Sequence, residues 1–456
     1  MIRKLLIVPA ICALLTGCET ANLDFEKLAL PTAWQQPSTE SVEYVEPAVL
    51  NKWWTRFDEP RLNDLVETAL ADSPDRNIAA ARILEARGLE RTSRSFLFPS
   101  LDASATYGRQ DTGFGGADSI DNFYDAGFDA SYELDLFGRN RNNARASLFN
   151  LFQRQAEYQD VSLSLAAEVT RTFIEHKRAL KRLLISNRNV QSQQRTVDLI
   201  TQLYDLGEAP RLDVSRAENL LNTTRAQIPE AERLAENARL RLAVLTGQMP
   251  EDVILDTYED ARYEISADAV PLLMVPADVI ANRPDVQASA LALEQATSLS
   301  RAEIAGLFPQ LSLSAFYGIS DGAFVSSSNV WSVAINAAVN LIDFGRVEGR
   351  IDAARAREVQ AFEQHRKTVL QAVADVESAL VNYAKHSERE ALLYAAYTNA
   401  RESADITDLL YREGESALID VLDVQRQLNS ADLALTGAAA DKAESLIALY
   451  KSLGVY

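Results

Sequence analysis

Four stretches of the chain alternate apolar and polar residues with a period of two. In the first, Leu101, Ala103, Ala105 and Tyr107 alternate with Asp102, Ser104 and Thr106. In the second, Tyr124, Ala126, Phe128, Ala130, Tyr132, Leu134 and Leu136 alternate with Asp125, Gly127, Asp129, Ser131, Glu133 and Asp135. The third sets Leu311, Leu313, Ala315, Tyr317 and Ile319 against Ser312, Ser314, Gly318 and Ser320, with Phe316 breaking the pattern. The fourth sets Trp331, Val333, Ile335, Ala337, Val339 and Leu341 against Ser332, Asn336 and Asn340. This pattern predicts strands at about 101–110, 123–137, 311–320 and 330–344, each apolar on one face and polar on the other.

Between the strand pairs the period changes to that of helices. No proline occurs between Pro99 and Pro210 or after Pro309, and no glycine between Gly138 and Gly207. Helices are predicted at about 139–205, 211–247, 346–411 and 417–452. The first would be roughly 100 Å long at 1.5 Å per residue, longer than an ordinary globular domain. Spacings of four and three place Val169, Phe173, His176, Leu180, Leu183, Asn187, Val190, Gln194 and Val197 on one seam with polar interruptions. The return helix is expected to break at Pro229. The corresponding place in the second half is Thr436 beside Gly437, so both halves should soften there.

The chain also contains itself twice. Pro74-Asp75 recurs as Pro284-Asp285, and Phe98-Pro99-Ser100-Leu101 as Phe308-Pro309-Gln310-Leu311, both 210 residues later. Phe137-Gly138-Arg139 recurs as Phe344-Gly345-Arg346, Tyr204 to Glu208 as Tyr411 to Glu415, and Asp213-Val214 as Asp420-Val421, all 207 residues later. The change of offset falls between Leu101 and Phe137, where a loop can absorb it. A tandem duplication follows, with repeats at 51–249 and 275–456 and a linker at 250–274. Each repeat runs helix, two strands, very long helix, glycine-marked turn, return helix.

The N-terminus begins with Arg3 and Lys4, then an apolar run from Leu5 to Leu15. At about 11 residues the run is too short to span a membrane and reads as a signal peptide, 1–17. Its Leu15-Thr16-Gly17-Cys18 ending resembles a bacterial lipobox, which implies a mature N-terminus at a lipidated Cys18. Glu19 after it favours the outer membrane by the same resemblance. Residues 18–50, broken by Pro31, Pro37 and Pro47, read as a lipidated extended segment. The other cysteine, Cys12, lies within the signal, so no intrachain disulfide is expected in the mature chain.

The net charge of −20 argues against nucleic acid and suits a water-lining surface. No apolar run of 18 residues follows Cys18, so any membrane span must be made of strands. The alternation also suits a soluble half-buried hairpin in each repeat, but the lipobox and the long helices favour a membrane barrel. Four strands cannot close a barrel, and an open sheet edge cannot face lipid. Copies must therefore combine: a dimer supplies eight strands, a trimer twelve. The polar strand faces would then line water, and Asp102, Asp125, Asp129, Glu133 and Asp135 would make that lumen acidic and favour cations.

These residues and a set of short motifs resemble the TolC-like outer-membrane efflux proteins, specifically their lipoprotein branch. The motifs are Trp53-Trp54-Thr55-Arg56-Phe57-Asp58-Glu59-Pro60-Arg61-Leu62, Asn282-Arg283-Pro284-Asp285-Val286, Phe308-Pro309-Gln310-Leu311, Glu133 to Arg139 and the paired glycine turns. The resemblance covers 18–456. It implies an α+β membrane protein that forms a homotrimer, with a twelve-strand barrel in the outer membrane and a helical tunnel in the periplasm. It implies docking to a periplasmic membrane-fusion adaptor and an inner-membrane pump of the RND type, with export of small molecules such as drugs. An exit duct for protein secretion, or a lipid-anchored structural coiled coil, is the alternative.

The resemblance also assigns residues. Gly207, Glu208 and Ala209, with Gly414, Glu415 and Ser416, would form the adaptor-contact tip; a glycine at a helix end also needs no further reason. Pro210 would start the next helix. Asp420 and Asp423, three apart on one helical face, would ring a periplasmic gate with Tyr411 and Asp213. Asp420 equally suits the first turn of a helix. Ser416 and Leu212 depart from the family's basic and hydroxyl-bearing partners, so an acidic ring is implied more than a salt-bridged latch. Trp53 and Trp54 suit a membrane-interface belt, but their position favours packing at the start of the folded body. No catalytic constellation, cofactor or metal site is read: His176, His365 and His386 have no metal spacing, and the chain lacks a phosphate loop, a nucleophile elbow and a CxxC pair.

Overall fold

The four alternating stretches form one antiparallel sheet in the computed structural model, which describes residues 30–35, 43–111, 120–255, 272–322 and 325–455. Cys18 and the signal lie outside the described residues, as does most of the linker. The sheet has the order β2-β3-β5-β6, with β2 Ser100–Asp111, β3 Ile120–Leu134, β5 Gln310–Gly322 and β6 Val325–Ala338. Its register keeps like faces together. Leu101 pairs with Ala130, Ala103 with Phe128, and Tyr107 with Tyr124, while Ser100 pairs with Ser131 and Asp102 with Asp129. A slip of one residue would turn every side chain to the other face.

Phe316, the residue out of pattern, has a structural reason to sit on the polar face. Gly127 and Gly318 face each other across β3 and β5. A Cβ built on either would meet the Phe316 ring at 2.8 Å. The ring lies over the glycine pair and covers backbone that would otherwise be bare. Strand ends differ from expectation. β3 stops at Leu134 and β6 at Ala338, so 135–137 and 339–344 are not strand. β3 and β6 also begin earlier than predicted, at Ile120 and Val325.

The helices are α1 Pro60–Asp72, α2 Pro74–Ser95, α3 Arg139–Asp205, α4 Arg211–Arg225, α5 Gln227–Thr246, α6 Pro276–Asn282, α7 Pro284–Ile304, α8 Arg346–Arg412 and α9 Leu418–Ser452. The two long helices, α3 and α8, are 67 residues each. Among the described residues, every positive-φ glycine belongs to a pair 207 residues apart: Gly138 and Gly345, Gly207 and Gly414, Gly247 and Gly454. Each sits where a helix begins or ends, so the duplication is preserved in the backbone itself.

The return helices are not alike. The first breaks at Ala226, three residues before Pro229. A proline ring crowds the carbonyl four residues upstream, here that of Arg225, and so displaces the break from the proline itself. The second, α9, runs unbroken through Thr436 and Gly437, against the expectation of a soft point. Glycine keeps its N–H and costs a helix only about 1 kcal/mol, against about 3 for proline. Gly437 also leaves room for Arg178, whose guanidinium would lie 3.5 Å from an added Cβ.

The coiled-coil seam holds only in part. Val169, Phe173, His176, Leu180, Leu183 and Val197 are buried, but Asn187, Val190 and Gln194 are half-exposed. Leu165, Ala166, Ile174 and Ile185 on other faces of α3 are buried as well. α3 packs against α1, α2, α4, α5, α7 and α9, so it is a central helix and not one strand of a two-stranded coil.

The main core gathers where both repeats start. Trp53 and Trp54 are each 1 % exposed, and Trp53 stacks on Tyr450 at 5.5 Å between ring centroids. They pack with Phe57, Ile174, Leu242, Met274 and Leu446. These tryptophans therefore pack inside the protein and form no membrane-interface belt. The folded body also starts before residue 51. Trp34 is buried, its Nε1 donates to the Met274 carbonyl at 2.8 Å, and β1 Glu43–Tyr44 pairs in parallel with β4 Leu272–Leu273. Trp34 and Glu43–Tyr44 are thus stapled to Leu272–Met274.

Candidate functional site

The sheet presents two different surfaces. On one, Leu101, Tyr107, Trp331 and Ile335 are all at least 70 % exposed, beside Phe128, Tyr317 and Val333. So much bare apolar area on one face needs a nonpolar surrounding. On the other lie Asp102 opposite Asp129, Asp125 opposite Thr106 and Ser320, and Glu133 opposite Ser312. Asp129 accepts a hydrogen bond from Ser104 Oγ at 2.7 Å. By register, no lysine or arginine points to this face from the described strand residues.

Asp135 is not among the strand acids. It follows the end of β3, and its carboxylate accepts the backbone N–H of Asn140 at 3.1 Å and Arg141 at 2.8 Å. It holds the start of α3, where unpaired N–H groups and the helix dipole favour an anion. Asp343 does the same for α8 through Gly345 and Val347.

At the far end of the long helices the chain turns twice in the same way. Gly207 N–H donates to Tyr204 and Glu208 N–H to Leu203; Gly414 N–H donates to Tyr411 and Glu415 N–H to Leu410. Both are Schellman turns with the glycine left-handed, at φ +81° and +79°. An added Cβ at either glycine would meet nothing within 4 Å. Backbone conformation requires the glycines, and the turns stand free. Glu208 and Glu415 are exposed, Ala209 and Ser416 half-exposed. Pro210 precedes the first residue of α4.

The expected gate residues are only partly brought together. Tyr411 packs on the cluster of Val197, Ile200, Val214, Leu221, Leu418 and Leu422 that joins the two hairpins. Burial first, and then the charge of Asp213, push its hydroxyl above the usual tyrosine range. Tyr411 and Asp213 are therefore neighbours across the hairpins. Asp213 also lies 3.6 Å from Arg216. Asp420 instead accepts the Ala417 N–H at 3.1 Å and faces Ser416 Oγ at 3.3 Å, closing the first turn of α9. Asp423 pairs with Arg426 at 3.0 Å. Arg216 and Arg426 escaped the sequence reading, although each stands three residues after its acid, the spacing of a helical ion pair.

Replacing Asp420 by Ala is expected to fray that turn. Hydrogen exchange at Val421 and Leu422 should rise about five- to tenfold, the size of a lost helix cap. Unchanged exchange there would show that the carboxylate does not hold the turn.

A second polar constellation surrounds the Asn-Arg-Pro-Asp motif. Arg283 donates to Asp285 at 2.7 Å, to Asp375 at 3.1 Å and to the Ser452 carbonyl at 3.0 Å, tying α7, α8 and α9 together. Gly454 approaches so closely that a Cβ would lie 2.8 Å from Arg283 Cα. The Asp160 carboxyl, on α3 nearby, is held above its ordinary range by burial and by the charge of Asp285. Of the histidines, His176 Nδ1 lies 3.0 Å from the Ala235 carbonyl and His365 Nδ1 2.9 Å from Ser289 Oγ. Burial lowers the pKa of His365. No group of histidines, cysteines or carboxylates suited to a metal occurs among the described residues.

Known proteins share this arrangement. A family model described as outer membrane efflux protein matches residues 65–248 and 275–455, one match per repeat. The pyoverdine export outer membrane protein OpmQ of Pseudomonas aeruginosa is 26% identical, with 100% of this chain and 97% of OpmQ covered. The solvent efflux pump outer membrane protein SrpC of Pseudomonas putida is 28% identical over 97% of this chain and 96% of SrpC. Among solved structures, the outer-membrane channel OprN superposes with a TM-score of 0.83 at 31% identity, covering 95% of this chain and 98% of OprN. The open state of the Neisseria gonorrhoeae MtrE outer membrane channel gives 0.82 at 27%, covering 95% of this chain and 97% of MtrE. With both repeats matched over most of their length and the fold in common, the chain belongs to the outer membrane efflux protein family and is an outer-membrane component of an efflux system.

Proposed function

We propose that copies of this chain close into a homotrimeric duct through which small molecules leave the cell, without any bond chemistry. The supporting observation is the sheet with one bare apolar face, one acidic face and two open edges, continuous with helical hairpins of 67-residue helices. Lipid would cover the first face and water the second. The lipobox supports a lipid anchor at Cys18. The free-standing turns at Gly207–Ala209 and Gly414–Ser416 suit contact with a periplasmic adaptor, and through it an RND-type inner-membrane pump. Pyoverdine and solvents, named for the relatives, are small organic molecules, and cargo of that class fits the same duct.

Opening is a population shift: the partner must bind the open tip better than the closed one. Asp420 and Asp423 would crowd carboxylates at the mouth and draw cations in. Single-channel recording in a planar bilayer tests this. The wild type is expected to give small, cation-selective openings, and Asp420→Ala/Asp423→Ala to shift selectivity toward anions. Selectivity that does not move removes these aspartates from the constriction. A folded oligomer that does not conduct removes the duct.

A further inference from the structure

We infer that the polar face of the sheet carries a binding site for amphipathic organic cations, built from the carboxylate of Asp125 between the rings of Phe123 and Phe316. The inference rests on the reading that this face lines a duct, and it names a class of molecule that the duct wall holds.

The site begins with an anomaly of composition. Phe123 and Phe316 are the only aromatic residues that the register places on the polar face among the described strand residues. Each covers glycine backbone. A Cβ built on Gly108, opposite Phe123, would meet that ring at 2.5 Å, and one built on Gly127 or Gly318 would meet the Phe316 ring at 2.8 Å. Covering backbone uses only part of each ring, for both phenylalanines stay half-exposed. Val330, opposite Gly318, extends the apolar patch.

Asp125 stands between the two rings. On β3 it is two residues from Phe123 and two from Gly127, the residue under the Phe316 ring. Positions two apart on one face of a strand are separated by about 7 Å. A cation seated on the carboxylate therefore has a ring on either side. Across the strands Asp125 faces Thr106 and Ser320, which carry no charge. Asp129, opposite Phe316, places a second carboxylate beyond that ring, where Ser104 Oγ donates to it at 2.7 Å. No lysine or arginine of the described strand residues points to this face, so no cation of the sheet itself competes for the site.

The chemistry selects the ligand. A hydrated inorganic cation gains from the carboxylates alone. A quaternary ammonium with alkyl or aryl groups holds its water weakly, so it gains from the ring faces as well and lays its apolar part on Phe123, Phe316 and Val330. An exposed ring adds about two- to fivefold to such binding. Binding of that strength gathers the cation on the wall and still releases it, as conduction requires.

Block of single-channel current by phenyltrimethylammonium, with benzenesulfonate as an anion of similar shape, tests the site in the full-length protein. The wild type is expected to be blocked by the cation and not by the anion. Phe316→Leu keeps a cover over the glycines but removes the ring, and should raise the half-blocking concentration about two- to fivefold. Phe316→Tyr should restore wild-type block. Asp125→Asn leaves both rings in place and should raise the half-blocking concentration about threefold, the size of one unit charge at this distance in water. Asn336→Ala, on the same face but away from both rings, should leave block unchanged. Equal block by the two ions overturns the site, as does wild-type block in Phe316→Leu. If that variant does not assemble, Asp125→Asn decides, and unchanged block there overturns the site. A wild type that conducts without block overturns the site and leaves the duct standing. A folded oligomer that does not conduct overturns the duct and the site with it.

Discussion

Val333→Arg is expected to keep the protein out of the outer membrane, whereas Ser332→Arg, one residue away, should leave assembly intact. Val333 lies on the bare apolar face, opposite Ala315, and is 62 % exposed. A guanidinium at the middle of a lipid-facing strand costs about 2–4 kcal/mol, and every copy in the ring carries the cost. Ser332 lies opposite Phe316 on the polar face, where an arginine stays in water. Its added positive charge beside the strand acids should weaken cation selectivity instead. Heat-modifiable mobility on gels and recovery in the outer-membrane fraction check the pair. Equal behaviour of the two variants would mean that the faces are not lipid and water.

Arg283→Ala should be the most damaging single change in the helical part. The guanidinium is nearly buried and neutralises Asp285 and Asp375, and its loss leaves both without their partner. Both carboxylates are about a third exposed and keep some hydration, so the loss costs about 1.5–3 kcal/mol. Lysine is a poor substitute, because Asp285 is held by two nitrogens of the planar fork. The loss should also depend on pH through Asp160. Its carboxyl is raised by burial first and by Asp285 next, while Lys451 and Arg283 pull it back down. Between the ordinary and the raised value the folded chain holds a proton that the unfolded chain releases. The stability this gives is fully present below the ordinary carboxylate pKa and is lost as pH rises through the raised folded value. Without Arg283 that value moves higher still. Thermal unfolding should therefore show the variant more damaged at pH 8 than at pH 5. A deficit of equal size at both pH values would detach Asp160 from this site.

Several features were legible because they are properties of the backbone. Alternation with period two places side chains on opposite sides of a strand whatever its neighbours are. The bounds of α3 were readable because Gly138 and Gly207 flank a stretch without glycine or proline, and a left-handed residue ends a helix locally. The acids of β2 and β3 were placed on one face by the same alternation, and the β2–β3 pairing keeps them there.

Other features depend on which elements approach one another. Asp135 reads in sequence as a strand acid, and Asp420 as a gate acid or a helix first-turn residue; in the structure each is held by the helix end next to it. The position of Trp53 and Trp54 at the start of the folded body favours packing over a lipid interface, and the partner ring, Tyr450, arrives from the end of the chain. The seam on α3 marks one apolar face, but six helices pack around it. β6 was expected to reach residue 344, and the single chain ends it at Ala338 because a strand needs a neighbour to continue.

The sequence by itself determined the duplication, the strand faces, the long helices and the glycine turns, since steric limits on φ and ψ and side-chain periodicity act within a few residues. Only the tertiary structure decided which carboxylates are neutralised, which aromatic rings are buried and which strand edges stay open, since those depend on contacts between residues hundreds of positions apart.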